Sequence, residues 1–208
     1  MNYKKLKSLE LNFLAIHKEG FDSYEMKQIG KKHNVTKVEK FVKDVCSKEN
    51  LLENCNAIDD IVKIVTKSSM VSVFEKMKFR DLVKELNQIE RQLIVEAIYE
   101  NIHKDEEKGF KDLYNLLEPY KLAKWPLITV FRAYYNLNYD VFIKPTTVKK
   151  VIKYLELDDL LYNSKPSYDF YDKYRTYINE MKMKVSETLR PNNPAFSGFL
   201  MININWNL

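Results

Sequence analysis

"NQIERQLIVEAIYENIH", residues 87–103, carries the clearest signal of secondary structure in the chain. Asn87 and Glu90 have the spacing of a capping box, in which each side chain accepts a hydrogen bond from the other residue's backbone N–H at the start of a helix. Apolar residues then recur at the spacing of one helix face, at Ile89, Leu93, Ala97, Ile98 and Ile102. The pattern predicts an amphipathic α-helix.

The composition extends this prediction to the whole chain. Four glycines and six prolines in 208 residues supply little of the turn chemistry that many-stranded β proteins need. The apolar share of 45% and the charged share of 30% are those of a globular protein. We therefore expect an all-α, multi-helix protein that folds as a single compact helical domain over residues 1–208, with possible lobes at 1–118 and 119–208.

Similar apolar stripes predict further helices, but the C-terminal tail follows a different pattern. Helices are predicted at 6–16, 22–33, 35–46, 58–65 and 69–74, between Gly109 and Pro119, from near Pro126 to Tyr135, and onward from Pro145 and Ser167. In the tail "LRPNNPAFSGFLMININWNL", residues 189–208, apolar residues alternate in part with asparagine. This alternation predicts an extended segment docked across the core, or a final strand.

Cysteine usage and the N-terminus indicate a reduced compartment. Cys46 and Cys55 lie nine residues apart with no histidine at a zinc-finger spacing, so neither a disulfide framework nor a structural metal is predicted. The three histidines share no metal-ligand spacing, and we expect no cofactor. The apolar run at residues 13–16 is too short for a signal peptide or a membrane span. We therefore expect a cytoplasmic protein with no membrane partner.

Positive charge is concentrated in one segment of the chain. Residues 121–153 hold seven basic side chains against one acid, Asp140, whereas the whole chain has a net charge of only +5. The remainder is therefore slightly negative, so the basic character belongs to this segment and not to the surface in general. The seven basic residues are Lys121, Lys124, Arg132, Lys144, Lys149, Lys150 and Lys153.

Pro145 is predicted to open a helix whose outer face carries lysines. One side of this helix is apolar and would face the core. That side consists of Val148, Val151, Ile152 and Leu155, and the lysines on the opposite side are Lys149, Lys150 and Lys153.

Lys144 lies immediately before this helix start. The free N–H groups of a first helical turn already carry partial positive charge, so a cation is unfavourable there unless an anion is close. Thr146, Thr147 and the first-turn N–H groups could bind such an anion, and the segment therefore predicts contact with phosphate. A solvated, lysine-rich face without a ligand is the alternative.

The run "LAKWPLITVFRAYYNLNYDVFIKPTTVKKVIKYLEL", residues 122–157, resembles the core of the helix-hairpin-helix DNA glycosylase superfamily, especially its alkylated-base branch. In that family a hairpin leads into a helix, and a loop then delivers the catalytic aspartate to the start of the next helix. Lys124, Trp125 and Thr129 fall at hairpin positions, Asp140, Val141 and Phe142 at the approach to the aspartate loop, and Val148, Lys150 and Val151 in the following helix.

The resemblance implies a glycosylase-like helical core and DNA as a partner. The position of the family's catalytic aspartate is occupied by Pro145, or by Thr146 after a shift of one residue, and neither side chain can act as a carboxylate. The resemblance therefore implies a degenerate member without the base-excision chemistry. No catalytic residue is predicted, and an enzyme whose carboxylate comes from elsewhere in the fold is a third, weaker possibility.

The leading hypothesis is a nucleic-acid-binding protein without sequence preference, with DNA as the expected partner. The alternative is a helical interaction or scaffold protein whose lysines are ordinary surface residues. In the first hypothesis Trp125 would support the hairpin or wedge into a base stack. The residues expected to contact backbone phosphates are Lys124, Lys144, Thr146, Lys149, Lys150 and Lys153.

Two features after residue 157 have structural interpretations. Asp158 and Asp159 are predicted to cap the end of the preceding helix, near Leu157. A row of tyrosines is predicted to be a half-buried packing face, and a platform for stacked bases is the other interpretation. The row consists of Tyr168, Tyr171, Tyr174 and Tyr177.

Overall fold

The computed structural model of the chain describes residues 1–206. These residues form twelve α-helices and no β-strand, which confirms the predicted all-α, multi-helix class. The helices are α1 (Tyr3–Ile16), α2 (Tyr24–His33), α3 (Val35–Val45), α4 (Lys48–Glu53), α5 (Ala57–Lys67), α6 (Val73–Glu85), α7 (Gln88–His103), α8 (Glu106–Leu117), α9 (Trp125–Tyr135), α10 (Pro145–Leu155), α11 (Tyr168–Lys182) and α12 (Asn193–Trp206). None of them combines the length and the apolar character needed to cross a bilayer.

The capping box of α7 is present as predicted. The backbone N–H of Glu90 donates to Asn87 Oδ1 at 3.0 Å, and that of Asn87 donates to Glu90 Oε2 at 2.9 Å. The predicted buried face is wrong at its N-terminal end, because Ile89 and Leu93 are exposed and the buried stripe runs instead through Ile94, Ala97, Ile98 and Asn101. The reason is that α7 is apolar on more than one side, so the neighbouring helix decides which side is covered.

That neighbour is α8, and Gly109 allows it to approach closely. Gly109 was predicted to precede a helix, but it lies inside α8, whose N-cap is Asp105. The Asp105 carboxylate accepts from the backbone N–H of Lys108 at 2.9 Å. A Cβ atom at Gly109 would lie 2.1 Å from the backbone nitrogen of Asn101, so only glycine fits where the two helices touch.

The segment 69–74, predicted to be a helix, is not helical over residues 69–72. Ser68 turns the chain there, since its Oγ accepts from the backbone N–H groups of Met70 and Val71 at 3.1 and 3.4 Å. The following helix, α6, starts only at Val73. A side-chain hydroxyl that satisfies two backbone donors offers the chain an alternative to helix, which explains the late start.

The C-terminal tail is a helix, so the predicted extended segment or strand is wrong for residues 193–206. Phe196, Phe199 and Leu200 of α12 are fully buried, and α12 packs against α1 and α10. The alternation of apolar residues with asparagine fits a helical period as well as a strand period, and burial in the core decides between them. Asn207 and Leu208, also included in that prediction, lie outside the described residues.

α9 is the central helix of the fold, and α10 lies nearer the surface. Nine of the eleven residues of α9 are buried, and the helix packs against α3, α5, α7 and α8. α10 packs against α1 and α12 and leaves one face exposed. Buried apolar side chains from Leu6 to Ile204 form a continuous cluster around these elements.

Candidate functional site

The starts of α9 and α10 lie next to each other. Thr129, in the second turn of α9, is 1% exposed, and its hydroxyl donates to the carbonyl oxygen of Trp125 at 2.8 Å. The Thr129 hydroxyl oxygen in turn accepts from the backbone N–H of Ile143 at 3.1 Å. Because Ile143 immediately precedes Lys144, this one hydroxyl ties the first turn of α9 to the segment that leads into α10.

The two helix starts have the same composition. Lys124 is the N-cap of α9 and Lys144 is the N-cap of α10, and each is followed by a proline in the first turn, Pro126 and Pro145. Neither N-cap side chain accepts a hydrogen bond, and neither first turn contains an acid. Two positive helix ends and two lysines therefore share one region without the acidic residue or the capping oxygen that usually offsets such an end.

The outer face of α10 carries the predicted lysines. Its core side is buried at Val148, Val151 and Leu155, which confirms the predicted orientation. Thr147 is buried, so Thr146 alone of the two threonines offers its side chain to a ligand. From Thr146 to Lys153 the helix rises by about 10 Å. The exposed side chains along this rise are Thr146, Lys149, Lys150 and Lys153.

Four of these lysines lack an acidic neighbour. Within residues 1–206, no carboxylate oxygen lies within 4.0 Å of the Nζ atom of Lys124, Lys144, Lys149 or Lys153. On α8, by contrast, Lys108 and Lys111 are each paired with an acid four residues away, at 2.7 and 2.5 Å. These four lysines thus carry positive charge that no carboxylate of the described residues pairs with.

The loop that follows α10 contacts both helices, α9 at Trp125 and α10 at Lys149. The indole N–H of Trp125, next to Lys124, donates to the carbonyl oxygen of Asn163 at 2.8 Å. Lys149 Nζ lies 4.8 Å from the centre of the Tyr162 ring, one residue earlier in the same loop. Together with the Thr129 contact, these two contacts place both helix starts beside one loop. We call the residues Lys124, Lys144, Thr146, Lys149, Lys150 and Lys153 the basic surface.

Trp125 belongs to the core and not to the basic surface. Its side chain is 1% exposed, and its ring centre lies 5.2 Å from that of Phe170 and 6.3 Å from that of Phe110. The ring has no free face on which a base could stack. Of the two roles predicted for Trp125, support of the turn is compatible with this position, and insertion into a base stack is not.

Arg132 and Asp140, both counted in the basic segment, are also withdrawn from the surface. The Asp140 carboxylate is buried and accepts from Arg132 Nε at 3.2 Å, from Arg175 Nη1 at 2.7 Å and from the Tyr171 hydroxyl at 3.0 Å. Glu106 binds both arginines, at 3.0 Å to Arg132 and 2.5 Å to Arg175. Burial raises the pKa of Tyr171 well above its usual value, so this residue stays a neutral donor.

The loop 136–144, which contains Asp140, is also held by contacts with α12. Asn193 donates from its side chain to the carbonyl oxygen of Asp140 at 3.0 Å and from its backbone to that of Leu137 at 2.8 Å. Lys182 Nζ donates to the carbonyl oxygen of Asn138 at 2.8 Å and to Asn193 Oδ1 at 2.5 Å, and burial lowers the pKa of this lysine. The loop 136–144 is therefore fixed on both sides, and it carries Lys144 at its end.

The sequence did not predict this buried network. Its members come from four separate elements, and Glu106 lies 69 residues from Arg175. The only sequence signal was Asp140, the single acid in a basic segment. An isolated acid among cations is a candidate ion-pair partner, but the sequence does not say which cations it meets: Arg132 is one of the seven in the segment, and Arg175 lies outside it.

The tyrosine row is a packing face, as predicted. Tyr171 and Tyr174 are buried and Tyr168 and Tyr177 are partly buried, so the row offers no continuous platform for bases. Burial raises the pKa of Tyr174 above its usual value.

Asp159 does not cap a helix, contrary to the prediction for Asp158 and Asp159. α10 already ends at Leu155, and Glu156 adopts the left-handed conformation at φ 55°. The Asp159 carboxylate instead binds Lys173 at 2.7 Å and accepts from the Tyr177 hydroxyl, both on α11. These two hydrogen bonds, the first from Lys173, lower the pKa of Asp159 to about 2. They tie the loop after α10 to α11.

The described residues contain no other cluster with obvious chemistry. Among residues 1–206, no group of three His, Cys, Asp or Glu side chains is placed to hold a metal ion. Burial raises the pKa of the Cys46 thiol to about 12, which makes it a poor nucleophile.

Comparison of the chain with protein-family models, with curated proteins and with solved structures found no match. The resemblance to the helix-hairpin-helix glycosylases therefore stays a prediction, and the function has to be argued from the geometry of the chain itself.

Proposed function

We propose that this protein binds nucleic acid, with DNA as the leading partner, through the backbone phosphates and without base-excision chemistry. The observation that carries the proposal is that four lysines of the basic surface have no ion-pair partner among the described residues. Neither helix has an acid in its first turn, and no carboxylate of the described residues lies within 4.0 Å of the Nζ atom of Lys124, Lys144, Lys149 or Lys153. A polyanion supplies that missing charge at several points at once.

Position distinguishes this surface from other lysine-rich parts of the chain. α2 also carries exposed lysines, Lys31 and Lys32, but they lie in its last turn. Cations there are stabilised by the negative end of the helix, so they need no ligand. Lys144 lies at the positive end of α10, whose first turn contains no acid.

The position of Asp140 supports binding without base-excision chemistry. Pro145 and Thr146 occupy the position where the resembling family has its catalytic aspartate. Asp140 is the nearest acid before that position, but it is 1% exposed and accepts hydrogen bonds from two arginines and a tyrosine. A carboxylate held in this way is not available to take a proton from water or to stabilise a sugar cation.

Fluorescence anisotropy with a labelled duplex of 20 base pairs tests the proposal. We expect the charge reversal Lys149→Glu with Lys150→Glu to weaken binding by about 100-fold or more at 50 mM salt, because two phosphate contacts are lost. The matched control is Lys31→Glu with Lys32→Glu, which changes the net charge equally at the end of α2. A labelled single strand of the same length shows which form of DNA is preferred.

Two results would overturn the proposal. One is the absence of binding by the unmodified protein at 50 mM salt, which would favour the scaffold alternative. The other is equal weakening by both double variants, since binding would then follow net charge and not the basic surface. Circular dichroism of each variant checks that the helices are retained.

A further inference from the structure

Exposed apolar side chains are concentrated on two consecutive helices far from α9 and α10 in sequence. Fifteen large apolar residues are exposed among residues 1–204, and five of them lie within residues 73–93. A tenth of the described chain thus holds a third of these side chains, which is more than scattered exposure would give. They are Val73, Phe74 and Met77 on α6 and Ile89 and Leu93 on α7.

On each helix the apolar residues form a stripe on the side away from the core. Val73 and Met77 are four residues apart on α6, whose buried side is at Phe79, Leu82 and Val83. Ile89 and Leu93 are likewise four apart on α7. Phe74 and Met77 are residue types that are enriched in protein interfaces. The composition and exposure of the two stripes are therefore those of an interface that is not covered within one copy of the chain.

The two stripes are bordered by opposite charges. Lys76 and Lys78 border the stripe on α6, and Lys78 Nζ lies 4.5 Å from the centre of the Phe74 ring. On α7 the line of Ile89 and Leu93 continues one and two turns further to Glu96 and Glu100. In the described residues none of these four charged groups has an ion-pair partner within 4.0 Å. Each stripe thus offers the charge that the other one lacks.

We propose that α6 and α7 form the interface of a homodimer, with the α6 stripe of one copy against the α7 stripe of the other. A twofold axis that places the α6 stripe of one copy against the α7 stripe of the other makes the reciprocal contact as well. A second copy is the partner that the charges favour, because it brings both complementary stripes together. Five apolar side chains per copy make a small interface, and we expect a dissociation constant in the micromolar range.

Analytical ultracentrifugation from 5 to 500 µM tests the dimer, with two charge-reversed variants as reagents. Variant one is Lys76→Glu with Lys78→Glu, and variant two is Glu96→Lys with Glu100→Lys. Each variant alone places like charges across both contacts, so each is expected to be monomeric throughout. An equal mixture of the two restores opposite charges at both contacts, so it is expected to dimerise about as tightly as the unmodified protein.

Apolar variants complete the test. Phe74→Ala removes part of a stripe without changing charge and is expected to weaken dimerisation at least tenfold. Leu52→Ala removes a comparably exposed side chain on α4 and is expected to leave it unchanged. The inference is overturned if the unmodified protein is monomeric at 500 µM, if the charge-reversed variants still dimerise alone, or if their mixture stays monomeric. None of these readings involves nucleic acid, so they stand or fall separately from the proposed function.

Discussion

Gly109 shows how one residue sets the distance between two helices. A methyl group at this position would lie 2.1 Å from the backbone nitrogen of Asn101, and backbone cannot move aside as a flexible side chain can. We expect Gly109→Ala to lower the free energy of unfolding by about 2 kcal/mol or more, because the strain exceeds the gain in helix propensity.

Gly30→Ala is the matched control for this substitution. Gly30 also lies inside a helix, α2, but a Cβ atom there meets nothing within 4 Å. Its replacement is expected to stabilise by up to about 1 kcal/mol. Urea unfolding of both variants gives the comparison, and equal effects would contradict the close approach of α7 and α8.

The contacts of Asp159 predict how the stability of the protein depends on pH. Lys173 and Tyr177 bind its carboxylate and lower its pKa to about 2, so these contacts favour the folded state above the unfolded pKa of about 3.9 and lose their effect as pH falls through about 2. We expect Lys173→Met to raise the pKa of Asp159, and Tyr177→Phe to raise it less. Carboxyl titration by NMR measures both shifts.

The reciprocal effect provides an independent check. The hydrogen bond to Asp159 raises the pKa of Tyr177 to about 12. Asp159→Asn is therefore expected to lower the pKa of Tyr177 toward the ordinary tyrosine value of about 10, as seen in its ultraviolet absorbance. If the pKa of Tyr177 is the same in Asp159→Asn as in the unmodified protein, the loop after α10 is not bound to α11 in solution.

At the scale of elements, the buried network decides where α10 begins. Asp140 anchors the loop 136–144 to α9 and α11, and Asn193 anchors it to α12. We expect Asp140→Asn to lower the free energy of unfolding by about 3 kcal/mol or more, since two buried guanidinium groups would share one fewer carboxylate.

Asp112→Asn is the control for this substitution. Asp112 also pairs with a cation, Lys108, but on the exposed side of α8. Its loss is expected to leave the free energy of unfolding unchanged. Thermal unfolding of the two variants separates the cases. A stable Asp140→Asn protein would mean that the network does not hold the loop.

Helices with local signals were predictable from sequence, and those that depend on distant contacts were not. α7 has its capping box within four residues, and α10 has Pro145 and a clear apolar stripe. α12 was missed because its asparagines fit two periods, and only burial under α1 and α10 selects the helix. The outward lysines of α10 follow from its own period, whereas the ion pairs of Arg132 and the burial of Trp125 required the folded structure.

At the scale of the whole molecule, charge is divided between two parts of the chain. Residues 85–118 hold nine acids against four basic residues, while residues 121–153 hold seven basic residues against one acid. A local excess of positive charge attracts a polyanion during its approach. A polyanion is therefore expected to meet the basic surface first.

The dependence of DNA affinity on salt tests the central claim most directly. Five lysines of the basic surface in contact with phosphates predict that log affinity falls with log salt concentration at a slope of about −4.5 for a duplex, or about 500-fold between 50 and 200 mM. Lys153→Gln should make this slope shallower by about 1, and Lys31→Gln should leave it unchanged. A slope near zero, or equal slopes for both variants and the unmodified protein, would contradict the account.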